Sequence, residues 1–423
     1  MGVCSVSTVV KSIDDYRAIV GDERVDEIYR LAEPFRGARV LHINGTAFGG
    51  GVAELLATLV PLMQNLGLNA EWQVMRGTDE FFTVTKAMHN SLQGATIQWT
   101  PEKYDIWLQY NQMNADLFDQ DFDFVIVHDP QPAGILQFLS QRNGGQCRGK
   151  WIWRCHLDLT EAQPEVWAFL HRYVEIYHAA IFTLEDFVPE DLNGPEIFIV
   201  PPAIDPLSPK NIDLLPGTVS EILARYRIDT QRPILSQISR FDQWKDPLGV
   251  IDGYRLVKKE MPEVQLIMVA SMAHDDPEGW ACFERTLRRA GEDFDIHFLT
   301  NLNGVGNIEV NAFQRASTVV VQKSLREGFG LAVAEALWKG KPVVAGGVGG
   351  IPLQIQYGRN GYLVITLAEF ANRVLHLLHH PKTAERMGKA GKEYIRQNFL
   401  ITRHLRDYLK IFNQLSDSAC GGK

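Results

Sequence analysis

Arg240 and Lys245 lie close together in Ser239-Arg240-Phe241-Asp242-Gln243-Trp244-Lys245-Asp246-Pro247, just past an apolar run from Pro233 to Ile238. Further on, Glu327 opens Glu327-Gly328-Phe329-Gly330-Leu331, and Glu335 follows inside an Ala/Leu-rich stretch. A strand end leading into a helix N-terminus binds anions, because free N–H groups and the helix dipole favour negative charge there. Arg240 and Lys245 add full charges that could hold a departing diphosphate, although charged residues after a strand also suit a solvated loop. Two cations near one helix start also repel, and an anionic ligand would offset that. A carboxylate inside an apolar helix is costly unless it accepts hydrogen bonds. For Glu335 a vicinal diol such as ribose could donate them, or Lys339 at i+4 could pair with it. Glu327 belongs to the turn. These residues describe a pocket for a nucleotide joined to a polyhydroxyl group.

A second loop, Asn44-Gly45-Thr46-Ala47-Phe48-Gly49-Gly50-Gly51-Val52-Ala53-Glu54, follows another apolar run. Gly49, Gly50 and Gly51 carry no Cβ and would let a ligand approach the backbone amides. The loop matches neither a P-loop nor a clean G-x-G-x-x-G, so a plain flexible turn stays open.

Short apolar runs alternate with helix-length amphipathic stretches. Val40–Asn44, Ala70–Met75, Phe124–His128, Trp151–Cys155, Ala180–Thr183 and Ile197–Val200 read as strands of a first half. Pro233–Ser239, Val264–Ala270, Ile296–Thr300, Thr318–Lys323, Pro342–Ala345 and Gly361–Val364 read as strands of a second. Val52–Leu66, Pro247–Lys259 and Leu331–Lys339 carry apolar residues at helical spacing. This alternation predicts an α/β protein with parallel sheets covered on both faces. Two doubly wound domains facing across a cleft are expected, 1–205 and 206–395, divided near Pro201–Pro206. The amphipathic stretch 396–415 reads as a helix, and Ser416–Lys423 as a disordered tail.

At 423 residues the chain is too long for one core. A net charge of −9 without a basic run argues against nucleic acid. No apolar run is long enough to predict a membrane span. The N-terminal residues lack the basic region of a signal peptide. Five cysteines without a C-x-x-C pair suggest reduced thiols and a cytoplasmic location. No His/Asp cluster has metal-ligand spacing. No tightly bound cofactor is expected, and any Mg²⁺ would accompany a nucleotide.

Arg240, Lys245, Glu327 and Glu335, with Gly346–Ile351 after the next strand, resemble the retaining glycosyltransferases of family 4, whose fold is GT-B. First-half segments resemble the trehalose glycosyltransferring synthases within that group. They are Gly49–Glu54, Asp79–Phe82, His89–Gly94, His128–Pro132, Trp153–Asp158 and Pro201–Leu207. The likeness runs from about Ile13 to Phe399 and takes in retaining trehalose phosphorylases as well.

The resemblance implies α-glucosyl transfer from a nucleoside diphosphate glucose, UDP-glucose or ADP-glucose, to free glucose, giving α,α-trehalose. It implies that Arg240 and Lys245 hold the diphosphate and that Glu335 takes the ribose. Glu327 and His156 would lie against the donor sugar, and Gly349, Gly350 and Ile351 would position sugar and phosphate. Gly49–Gly51 would approach the phosphates from the other domain. Glu80, His89, Asn90, Asp129, Gln131 and Asp158 are the acceptor candidates. A homodimer is left open. Two other readings remain: a phosphorylase using inorganic phosphate, and a non-catalytic sensor of nucleotide sugars.

Overall fold

The computed structural model describes residues 4–48, 50–118, 120–144, 147–272 and 277–417. Every apolar run expected as a strand is one. The first sheet comprises β1 (Cys4–Ser5), β2 (Arg39–Asn44), β3 (Asn69–Val74), β4 (Phe124–His128), β5 (Lys150–Arg154), β6 (Ala179–Phe182) and β7 (Glu196–Ile199). The second comprises β8 (Ile234–Ile238), β9 (Gln265–Ala270), β10 (Ile296–Thr300), β11 (Val319–Gln322), β12 (Val343–Gly346) and β13 (Gly361–Val364). β4 and β9 are buried along their whole length, as strands covered by helices on both faces must be.

The strand orders locate the sites. The second sheet runs β10-β9-β8-β11-β12-β13, all parallel, which is the 3-2-1-4-5-6 order of dinucleotide-binding folds. The first runs β1-β3-β2-β4-β5-β6-β7, parallel except for β1, which pairs antiparallel with β3. In such sheets ligands bind beyond the carboxyl ends of the strands, where the winding direction reverses. That point lies between β8 and β11 in one sheet and between β2 and β4 in the other. Two-residue β1 went unforeseen because it is too short to carry any periodicity.

The chain forms two compact units, one running to Ala203 and resuming at Ile401, the other spanning Ile204–Leu400. In the first, Trp107, Trp153 and Phe81 are fully buried; in the second, Tyr254 and Phe370 are. The helix Ile401–Asp417 belongs to the first unit: Phe412 stacks on Phe124 with ring centroids 4.2 Å apart, and Asn413 donates to the Leu31 carbonyl at 3.3 Å. The division does not fall at residue 396, because the helix Pro381–Asn398 runs unbroken through it. Ile204 N–H then donates to the Phe399 carbonyl at 2.9 Å. Of the tail expected to be disordered, Ser416 and Asp417 still belong to the last helix, and the rest lies outside the described residues. Cys147, Cys155 and Cys282 are free thiols. No described helix is long and apolar enough to cross a membrane.

Candidate active site

At the reversal point of the second sheet, β8 and β11 deliver their charged residues together. Lys245 Nζ lies 2.8 Å from both Glu327 carboxylate oxygens, and Ser324 Oγ donates to Oε2 at 3.1 Å. Arg240 is half-exposed and sits 3.3 Å from Asp242, while Lys323 pairs with Asp246. Asp242 and Asp246 also cap the short helix Gln243–Lys245 and the helix Pro247–Glu260, accepting from the amides of Lys245 and Gly249. Each cation therefore has its own carboxylate. The repulsion expected between Arg240 and Lys245 is already offset within the protein and by itself calls for no ligand. What favours an anion here is position: the end of β8, beside the turn Glu327–Gly330 that opens the helix Leu331–Trp338. Lys245 has three ammonium hydrogens, and its two described side-chain contacts both go to Glu327.

Glycines fix this turn. Gly349 has φ +53°, and a Cβ there would fall 1.7 Å from the Glu327 carbonyl oxygen. The Gly350 amide donates to that same carbonyl at 3.2 Å. The Gly346–Ile351 loop thus packs backbone to backbone against the segment carrying Glu327, which side chains at 349 or 350 would prevent.

Glu335 is 3 % exposed on the helix Leu331–Trp338. Lys339 Nζ donates to Asn211 Oδ1 at 2.8 Å and to the Glu335 backbone carbonyl at 3.2 Å. Lys210 faces the carboxylate at 3.6 Å, and Gln314 reaches it at 3.5 Å. Both contacts are longer than a strong hydrogen bond. Burial pulls the Lys339 ammonium down to about 7.

In the first unit, three imidazoles line up from inside β2 to the ends of β4 and β5. His42 Nδ1 lies 3.0 Å from His128 Nε2, and His128 Nδ1 lies 3.0 Å from His156 Nε2. His42 and His128 are fully buried, and His156 reaches partial exposure. Asp129, in the left-handed conformation at φ 64°, accepts the His156 backbone N–H at 2.8 Å. Burial raises its carboxyl to about 7. Arg154, wholly buried at the end of β5, donates to the Val200 carbonyl at 2.7 Å. The next carbonyl, Pro201, meets His404 Nδ1 at 3.1 Å.

These shifts set a pH dependence. Burial lowers His42 from 6.5 to about 3, and it holds His128, His156 and His404 well below the ordinary value. An unfolded chain binds those protons first as pH falls. Stability carried by neutral histidines is therefore complete above about pH 6.5 and lost below it, at about 1.4 kcal/mol per pH unit for each. Asp129 acts oppositely between pH 3.8 and about 7, offsetting one histidine. Urea midpoints are expected to fall steadily from pH 7 to 5; unchanged midpoints would contradict neutral burial of these rings.

The acceptor candidates do not converge as a set. Asp129 and His156 touch, and Gln131 packs against Gly45, whose hypothetical Cβ would lie 3.4 Å from Gln131 Cγ. Asp158 is 4 % exposed and accepts from the Thr160 amide at 3.1 Å and its hydroxyl at 2.6 Å, holding a turn. Glu80 is exposed in the first turn of the helix Asp79–Leu92, whereas His89 and Asn90 lie in its last. Glu80 and His89 are about 13 Å apart along the axis and half a revolution apart around it, so they cannot line one small pocket from this helix. Gly50 caps the helix Gly51–Asn65 in extended conformation; Gly49 lies outside the described residues. His42, Ser324, Lys323, Lys210 and Arg154 were not foreseen. A histidine inside an apolar strand, as at His42, was the one available signal.

Comparison with known proteins agrees with this geometry. Residues 42–189 match the family "Trehalose synthase, N-terminal domain", and 219–394 match "Glycosyl transferases group 1". A trehalose synthase of Thermococcus litoralis is 50% identical over 405 residues, 95% of this chain and 97% of that one. A trehalose phosphorylase of Pleurotus pulmonarius is 27% identical, covering 84% of this chain and 54% of its own. The E. coli structure described as trehalose-6-phosphate bound with UDP-2-fluoro glucose has the same fold, with a TM-score of 0.72 at 14% identity over 89% of this chain and 99% of that one. Two Rossmann-like units with these strand orders, matched along both halves, make the chain a GT-B glycosyltransferase of the trehalose synthase family, and a trehalose-forming enzyme.

Proposed function

We propose that the protein transfers an α-glucosyl group, with retention, from a nucleoside diphosphate glucose to free glucose, giving α,α-trehalose. The observation that carries this reading is the Lys245–Glu327 pair at the reversal point of the second sheet, braced by Ser324 and the Gly349–Gly350 backbone. In the reaction the bond from C1 to the departing phosphate oxygen breaks as the acceptor's anomeric oxygen attacks the same face. The acceptor proton passes to that phosphate oxygen, so no protein nucleophile is required. Negative charge grows on the diphosphate, and Lys245 and Arg240 stabilise it there. Glu327 aligns Lys245 and meets the sugar's hydroxyls. Glu335 accepts from the ribose, and the amides of Gly350 and Ile351 orient the donor. Asp129, His156 and Gln131 serve a sugar at the first sheet. Among the described residues no His, Cys, Asp or Glu group is arranged to hold a metal; Mg²⁺ arriving with the nucleotide fits this scheme.

A phosphorylase is the second reading, because a carboxylate 3.6 Å from Lys210 can be purely structural. Release of nucleoside diphosphate that depends on glucose and not on phosphate is the expected result. Glucose 1-phosphate formed from trehalose and phosphate, without nucleotide turnover, would overturn the proposal. Glu335→Gln is expected to weaken nucleotide binding by about 1–3 kcal/mol, the scale of a charged hydrogen bond. Calorimetry giving the wild-type affinity would leave the ribose role without support.

A further inference from the structure

We propose that the buried pair His42–His128 is a positioning relay that fixes His156 in the tautomer whose Nδ1–H donates toward a bound sugar. This rests on the reading of His156 as a sugar-facing residue.

The number of ring hydrogens limits how the three imidazoles can pair. A neutral imidazole carries one N–H and one lone pair. The rings are held neutral by burial, and for His128 and His156 also by the nearby Arg154 cation. Each of the two 3.0 Å contacts needs one donor and one acceptor, so the chain has only two polarities. In one, His156 donates from Nε2 to His128, His128 donates to His42, and His42 must carry its hydrogen on Nε2. In the other, His42 Nδ1–H donates to His128, His128 Nδ1–H donates to His156, and His42 Nε2 is a bare lone pair. His42 Nε2 is buried and reaches no protein partner among the described residues. Leaving a donor unpaired is the rarer and costlier arrangement. Tyr408, whose ring centroid lies 6.0 Å from that of His42, supplies no acceptor for such a hydrogen: its phenol oxygen is buried and makes no hydrogen bond among the described residues. The second polarity therefore prevails. His156 Nε2 then accepts, and its Nδ1, the nitrogen that the relay does not use, carries the hydrogen. The nitrogens face one another in sequence and do not converge on a point, so the row is a hydrogen-bond chain and not a ligand set. The other charged or titratable groups around it are Asp129 and Arg154 from the strand ends, and His404 and Tyr408 from the helix Ile401–Asp417.

Long-range ¹H–¹⁵N correlation spectra of the full-length protein, with ring-labelled histidine, read the tautomer directly and without any assay of activity. His156 is expected as the Nδ1–H form; the Nε2–H form would overturn the proposal whatever the reaction proves to be. His42→Leu should let both tautomers appear and lower kcat about tenfold with KM for the acceptor nearly unchanged. His42→Asn, whose amide nitrogen stands close to the place of Nδ1, should restore both readouts. Wild-type kcat and a single tautomer in folded His42→Leu would also overturn the relay. Should His42→Leu fail to fold, the wild-type spectrum and His42→Asn still decide.

Discussion

Lys245→Ala is expected to lower turnover by about 10²–10³-fold, the scale for removing one donor that acts on charge developing in the transition state. Two effects combine. On the proposed reading the diphosphate loses one of its two cations, and Glu327 loses the ammonium that holds both its oxygens at 2.8 Å. Among the described residues, Ser324 Oγ would then be the remaining side-chain partner of the Glu327 carboxylate. Arg240→Ala should act in the same direction, because Arg240 is half-exposed and, among the described residues, pairs with Asp242 at 3.3 Å. Steady-state kinetics with saturating donor and glucose test both; near-normal turnover in both variants would remove the cations from the leaving-group role.

A second large effect is expected from Gly349→Ala, which adds one methyl group and no charge. Alanine in the left-handed region costs about 1–2 kcal/mol. The larger penalty is steric, because its Cβ would sit 1.7 Å from the Glu327 carbonyl oxygen. The backbone carrying Glu327 must move, and a displacement of about 1 Å at a reacting centre can cost about 10²-fold in rate. Activity should therefore fall by about two orders of magnitude while circular dichroism still reports a folded chain. Gly358→Ala, at φ +76° with open space around its Cβ position, is the matched control and should lose only the backbone term. Equal kinetics in the two variants would show that the contact with Glu327 carries no function.

The strands and the second-sheet site were legible for a physical reason. Parallel strands buried on both faces leave uninterrupted apolar runs, such as Phe124-Val-Ile-Val-His128, and the charged residues stand just beyond them. Arg240, Lys245 and Glu327 could be named because Gly and Pro punctuate their turns. Their pairings could not. Lys245 meets Glu327 across 82 positions and Lys323 meets Asp246 across 77, and no local pattern encodes such contacts. Glu335 shows the same limit: Lys339 was its obvious helical neighbour, yet the cation that faces it, Lys210, comes from the loop ahead of the sheet. The first-sheet site was harder still. His42 and His128 look like strand residues, and only the register of β2 with β4 brings their rings together. Glu80 and His89 were grouped by motif, and helix geometry separates them.

Glucosyl transfer from a nucleotide sugar to glucose with retained configuration predicts one product. The full chain, incubated with UDP-glucose or ADP-glucose and ¹³C-labelled glucose in phosphate-free buffer, should give one disaccharide. NMR should show both of its anomeric carbons in the α configuration and one of the two rings labelled. A β-linked product, or a disaccharide that forms only when phosphate or glucose 1-phosphate is supplied, would contradict it.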